Sequence, residues 1–332
     1  MDKFAAIKAM ISNTPLLEID YRYRGERHSL YAKAEYYNLS GSIKDRVAFY
    51  IMKQAYETGR IQPGDEIVEA TSGNTGIAFS AVGTYLGHKV TIYMPDWMSA
   101  ERINLMESFG ARVRLVSRAE GGFLGSIRMT EELAKKGGVF LPRQFSNEEN
   151  VNTHIDDTGA EIIRQLEALG KQPGGIVAGV GTGGTVMGIG RAFKRVNPSA
   201  KAFPLEPENS PTLSTGYKTG NHRIQGISDE FIPSIVHLDE LDDVVSVNDI
   251  DAIIMAQRLS RELGLGVGIS SGANFIGAVK MSEQIPVDTA MVTVFADDNK
   301  KYLSTDYVKQ WENKPEYLSS QIELLGYRAY RG

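Results

Sequence analysis

Cysteine is absent from the 332 residues, which excludes disulfide staples and thiolate metal sites. Histidine is scarce. The five residues, His28, His88, His154, His222 and His237, lie far apart and none of them pairs at metal-ligand spacing. No metal site is expected, and each histidine reads as a surface or packing residue. Long runs of one charge are missing as well. The 36 Lys and Arg stand against 41 Asp and Glu, for a net charge of −5. Without a basic stripe, a nucleic-acid partner has little support. Residues 1–11 carry Asp2, Lys3 and Lys8 and no extended apolar segment. Neither a signal peptide nor a membrane span is expected, and a cytoplasmic location follows from that reading. No internal repeat and no low-complexity linker interrupt the chain.

What is present suits a large core: 42% of residues are hydrophobic, and the length is enough for two lobes. Apolar β-rich runs alternate with helix-period segments. Glu66 to Ala70, Val90 to Met94, Arg112 to Val116, Gly175 to Gly179, Lys201 to Leu205 and Ala290 to Phe295 read as strands. Ile77 to Tyr85, Ser99 to Phe109, Leu124 to Lys136, Glu161 to Leu169, Thr185 to Val196 and Asp249 to Leu263 read as helices. Short strands separated by helices imply an α/β fold, a mostly parallel sheet with helices on both faces.

Three motifs carry chemistry. In Asn38-Leu39-Ser40-Gly41-Ser42-Ile43-Lys44-Asp45-Arg46, a small-residue loop turns into a helix at Lys44. An amine there sits beside backbone N–H groups and the positive end of the helix dipole, which disfavours its ammonium form and suits a nucleophile. Thr71-Ser72-Gly73-Asn74-Thr75-Gly76 joins a strand to a helix. Such a loop is an anion cup for a carboxylate or a phosphate. Gly179-Val180-Gly181-Thr182-Gly183-Gly184-Thr185 repeats that layout with no Lys or Arg. Its charge compensation would come from amides, the dipole and the Thr182 and Thr185 hydroxyls. Two anion cups and an activated lysine are what an amino acid joined to pyridoxal phosphate demands.

Ser42 to Arg46, Thr71 to Gly76, Gln144-Phe145-Ser146-Asn147, Gly181 to Thr185, Gly226-Ile227 with Phe231-Ile232-Pro233, and Tyr302-Leu303-Ser304-Thr305 recur in order along the chain. Together they resemble the cysteine synthase and cystathionine β-synthase family of fold-type-II pyridoxal-phosphate enzymes. The resemblance implies two α/β lobes: a large one from residues 1–41 and 148–305, a small mobile one from 42–147, and a helical extension at 306–332. It also implies pyridoxal 5′-phosphate between the lobes, a small amino-acid substrate and a homodimer. Lys44 would form the internal aldimine and later act as the base at Cα. Gly181, Thr182, Gly183, Gly184 and Thr185 would hold the phosphate. Asn74 would bond the cofactor's phenolic oxygen, and Thr71, Ser72, Thr75 and Gln144 would bind the substrate carboxylate. These roles imply β-elimination or β-replacement through an α-aminoacrylate.

Two positions depart from the family pattern. A serine usually faces the pyridine nitrogen where this chain reads Ala296-Asp297-Asp298-Asn299. Asp298 aligns best with it, and a carboxylate there would favour a protonated pyridinium. The alternative is that Asp297 and Asp298 both cap the following turn. In Gly226-Ile227-Ser228-Asp229-Glu230-Phe231, the family's small residues give way to carboxylates. Asp229 could take a proton from water attacking the β-carbon, or it could cap a turn. This combination resembles the cysteine hydroxyl-lyases, which convert cysteine and water into serine and sulfide. O-acetylserine sulfhydrylase is the alternative.

Two further classes compete. Gly179, Gly181 and Gly184, with Glu206 about 20 residues on, fit a dinucleotide fingerprint of an NAD oxidoreductase. That fingerprint leaves Lys44 and the Thr71 to Gly76 cup without a role. An inactive binding homologue conflicts with retention of Lys44 and both cups.

Overall fold

A computed structural model describes residues 2–228 and 230–331. The strands are β1 (Leu16–Tyr23), β2 (Glu26–Ala34), β3 (Glu66–Ala70), β4 (Lys89–Pro95), β5 (Arg112–Val116), β6 (Val139–Phe140), β7 (Pro173–Gly179), β8 (Lys201–Pro207), β9 (Val245–Val247), β10 (Ala290–Phe295) and β11 (Ile322–Tyr330). Among the described residues they form two sheets, one ordered β11-β1-β2-β10-β7-β8-β9 and one ordered β5-β4-β3-β6. Helices alternate with the strands, as the sequence pattern requires of a parallel sheet. The chain divides into two compact units: Met1–Ser12 with Asn38–Asn150, and Asn13–Tyr37 with Val151–Gly332.

The first unit is built on the four-stranded sheet, whose neighbours all run parallel. Ile67 and Val68 on β3 are fully buried, as a central parallel strand covered on both faces demands. Val47, Ile51 and Met52 of the Lys44–Glu57 helix pack in one core with Ile77 and Val82 of the Asn74–Leu86 helix. Residues 1–12 join this unit because Ile7 and Ile11 enter the same core. The Asp2 carboxylate caps that first helix by accepting from the Phe4 and Ala5 N–H groups.

The second unit holds the seven-stranded sheet. β2, β10, β7, β8 and β9 are parallel neighbours, while β1 pairs antiparallel with both β2 and β11. Fully buried Lys33 on β2 is neutralised within this unit. Its Nζ donates to Glu161 (2.5 Å), Gln165 (2.7 Å) and the Thr14 carbonyl (2.6 Å), the pairing that a buried ammonium needs.

The expected helical extension at 306–332 is corrected here. Its helical parts are the short turns Asp306–Val308 and Leu318–Gln321, and the chain then runs as β11 along the edge of β1. An edge strand demands a ladder partner, and the side chains favour this one. Arg328 pairs with Glu18 (3.0 Å) and Asp20 (3.4 Å), and the Tyr330 hydroxyl donates to Glu18 (2.8 Å).

Candidate active site

In the first unit, Lys44 is the first residue of the Lys44–Glu57 helix. The loop before it is folded onto buried Asp45, whose carboxylate accepts from Ser40 N–H (2.9 Å), Ser40 Oγ (2.5 Å) and Ser42 N–H (3.3 Å). The Lys44 N–H itself donates to Ser42 Oγ (3.2 Å). Short polar side chains satisfying helix-start N–H groups are what fixes the entry of a helix, so the lysine's position along the chain is set by its neighbours.

Thr71 to Gly76 leaves the C-terminal end of β3, and Gln144 lies just past β6, the strand paired beside it. In parallel sheets, ligands gather beyond the carboxyl ends of neighbouring strands. Thr71, Thr75 and Gln144 are all buried. Thr75 Oγ1 donates to Gln144 Oε1 (2.5 Å) and Gln144 Nε2 donates to the Ala70 carbonyl (2.9 Å). Three of the four residues expected at the substrate carboxylate are thus placed together, and half-buried Ser72 sits within the same loop. The Asn74–Leu86 helix starts after Gly73 with no side-chain cap, which leaves its entrance suited to an anion. Gly73 leaves room there for a neighbouring arginine. A Cβ would come within 2.5 Å of Nε of the buried Arg102.

In the second unit, Gly181 to Thr185 leaves the C-terminal end of β7 and opens the Gly184–Val196 helix, again without a side-chain cap. Gly183 has φ +85°, and a Cβ on it would lie 2.1 Å from Val236 Cγ2. Thr182 Oγ1 accepts from Gly184 N–H (3.4 Å), while Thr185 Oγ1 is 3.4 Å from His154 Nε2. A glycine turn feeding an uncapped helix N-terminus, flanked by two hydroxyls and no fixed cation, fits a phosphate held by amides and the dipole.

Buried His154 belongs to a π-helical turn, His154–Gly159, and bonds Thr158 Oγ1 through Nδ1 (2.9 Å). Sequence reading gave it no part in the loop. Its only sequence signal is a histidine on an otherwise packed helix, which is weak.

β10 lies beside β7 and ends just before Asp297 and Asp298. Fully buried Asp297 accepts from the Tyr302 hydroxyl (2.7 Å). Asp298 is half-buried and caps the Asn299–Tyr302 turn through Lys300 N–H (3.1 Å), with Lys301 Nζ at 3.8 Å. Of the two readings of the sequence, the capping one thus holds for Asp298, whereas Asp297 is bound to the Tyr302 hydroxyl.

Asp229 lies outside the described residues. Ser228 before it is firmly held: its N–H donates to the Val180 carbonyl (2.7 Å) and its Oγ to the Ser210 carbonyl (2.9 Å). His222 Nε2 donates to the Ser228 carbonyl (3.2 Å), and burial holds the His222 imidazole below its ordinary pKa. Glu206, the residue on which the dinucleotide reading depends, is buried. Its carboxylate accepts from the Leu213 and Ser214 N–H groups and from the Ser214 hydroxyl, so it is a helix cap.

Comparison with known proteins agrees with this geometry. A family model described as pyridoxal-phosphate dependent enzyme matches residues 7–297. A cysteine synthase of Staphylococcus aureus is 38% identical over 299 residues, 90% of this chain and 95% of its own length. The solved structure of a hydrogen sulfide-producing enzyme from Fusobacterium nucleatum is 56% identical with a TM-score of 0.96, covering 99% of both chains. An O-acetylserine dependent cystathionine β-synthase from Helicobacter pylori is 32% identical with a TM-score of 0.82, covering 91% of this chain and 98% of its own. No helix among the described residues is long and apolar enough to cross a membrane. Matched by that family model over residues 7–297 and by a cysteine synthase 38% identical over 90% of this chain's length, the chain belongs to the pyridoxal-phosphate dependent enzyme family and is a cysteine synthase-like member of it.

Proposed function

We propose that this enzyme converts L-cysteine and water into L-serine and hydrogen sulfide. The observation that carries the reading is the loop after Gly226. Ser228 is hydrogen-bonded to Val180 at the root of the Gly181 to Thr185 loop, and a carboxylate, Asp229, follows it directly in sequence. The Fusobacterium enzyme described as hydrogen sulfide-producing supports it, as does an aspartate-to-asparagine variant of that enzyme in complex with an α-aminoacrylate intermediate.

Gly181 to Thr185 would hold the cofactor phosphate, Asn74 its phenolic oxygen, Lys44 its aldehyde carbon and Asp298 its pyridine nitrogen. Bound pyridoxal phosphate supplies an electron sink for negative charge at Cα. The Lys44 amine takes the Cα proton. Thr71, Ser72, Thr75 and Gln144 hold the substrate carboxylate. The Cβ–S bond breaks and sulfur leaves as sulfide. Asp229 then takes a proton from the water whose oxygen bonds to Cβ, and a proton returned to Cα completes serine with no net oxidation. A carboxylate at this loop would also repel a second anionic substrate, which favours neutral water as the nucleophile. A homodimer is part of the same proposal and rests on the family resemblance.

The test is a product assay with L-cysteine as sole substrate. Serine and sulfide should appear in equal amounts. Pyruvate in place of serine would mean elimination alone. Turnover that waits for O-acetylserine would favour the synthase reading, which the Staphylococcus aureus relative supports.

A further inference from the structure

Glu69, the penultimate residue of β3, is 3% exposed, yet it belongs to no role assigned above. Its two carboxylate oxygens are divided between two strand exits: Oε1 accepts from Ala70 N–H (2.8 Å) and Oε2 from Gln144 N–H (3.2 Å). Ala70 leads straight into the Thr71 to Gly76 loop. Gln144 is clasped on its other sides as well, by Thr75 Oγ1 on Oε1 (2.5 Å), by the Ala70 carbonyl at Nε2 (2.9 Å) and by Asn150 Nδ2 on its own carbonyl (2.9 Å). These partners fix which way the Gln144 amide points, because a carbonyl can only accept and must face Nε2. Nε2 has two hydrogens. One goes to Ala70, and the second is the one a substrate carboxylate can take.

We infer that Glu69 is the positioning residue of the carboxylate site, its carboxylate holding Gln144 against the Thr71 to Gly76 loop. The inference rests on the proposal that this loop and Gln144 bind the substrate carboxylate. Two N–H donors converge on Glu69, so both of its oxygens must accept. A glutamine in its place would turn an NH₂ group toward one of those donors. A protonated Glu69 would do the same with its O–H.

That second case falls near neutral pH. Burial raises the Glu69 carboxyl to about 7, Glu131 on the Gly122–Lys136 helix adds to the rise, and the Ala70 and Gln144 N–H groups and Arg143 oppose it. Glu131 is itself held by Arg143 through two hydrogen bonds (2.9 and 3.0 Å). Amino-acid affinity should therefore be greatest above this pKa and fall as pH drops through it, with the Gln144 amide released.

The experiment titrates the holoenzyme with L-alanine, which has no β-leaving group, and follows cofactor absorbance across neutral pH. The native enzyme should lose affinity on the acid side of an inflection near the Glu69 pKa. Glu69→Gln should bind about tenfold more weakly than the native enzyme above the inflection and about as weakly as it below, with that inflection gone. Its KM for cysteine should rise more than its kcat falls. Native affinity in Glu69→Gln, or survival of the inflection, would overturn the inference. Should Glu69→Gln fail to fold, Glu69→Asp decides. Its shorter carboxylate should keep an inflection but weaken binding, and unchanged affinity would overturn the inference. Gln144→Ala separates the two ideas. Undiminished alanine binding there defeats the carboxylate-site reading and the inference with it, whereas weak binding in Gln144→Ala beside native binding in Glu69→Gln defeats the positioning role alone.

Discussion

Gly183 has two reasons to be glycine, its φ of +85° and the Val236 methyl that a Cβ would strike. A non-glycine residue held at positive φ stores about 1–3 kcal/mol of strain, and relief of that strain would rotate the amides of the phosphate loop. Gly183→Leu should therefore weaken pyridoxal phosphate retention by about tenfold or more, the ratio that 1.4 kcal/mol represents. Equilibrium dialysis of the folded variant checks this, and retention equal to the parent's would mean that the loop does not hold phosphate. Lys44 and the two loops could be read from sequence because a small-residue loop between a strand and a helix carries its signature within a few residues. Asp297 and Asp298 could not be separated that way. What divides them is the Tyr302 hydroxyl bond and an isolated bridge between Val267 and Asp298, a contact across about 30 residues. Glu69 carries no motif and stands in the sequence as one letter of the Glu66 to Ala70 strand. An acidic residue at a buried strand position was its signal, since such residues are almost never fully buried without partners.

At the scale of elements, short β-rich runs between helix-period segments were legible to the residue: Glu66–Ala70, Arg112–Val116 and Ala290–Phe295 match the sequence reading, and so does the Asp249–Leu263 helix, which ends at left-handed Gly264. The β1–β2 hairpin was not. Its residues alternate tyrosine, charge and leucine, and its register is set by pairing with β10 and β11, far off in sequence. β11 was missed for the same reason. It protects β1, so removal of residues 322–332 should expose an edge ladder together with Glu18 and Asp20, whose partners Arg328 and Tyr330 leave with it. Light scattering on heating and the thermal midpoint are the measurements. The truncated protein should unfold several degrees lower, about 2–4 °C for each kcal/mol lost in a chain of this size, and should aggregate. An unchanged midpoint would make β11 an ornament of the sheet.

At the scale of the whole molecule, the α/β class, the cofactor and the family could be read in the sequence because they rest on local motifs in a fixed order, and the family match over residues 7–297 agrees with them. The reaction is a different matter, since cysteine synthase-like relatives and a hydrogen sulfide-producing relative share this fold and differ in what they are described as doing. The central claim is that Asp229 activates water, and single turnover of Asp229→Asn with L-cysteine tests it most directly. The isosteric amide keeps the shape and removes the base, a loss worth about 10²–10⁴-fold in rate. Sulfide should be released up to one equivalent per site while serine fails to form. Serine appearing at the native rate in Asp229→Asn would contradict the claim and return the synthase reading to first place.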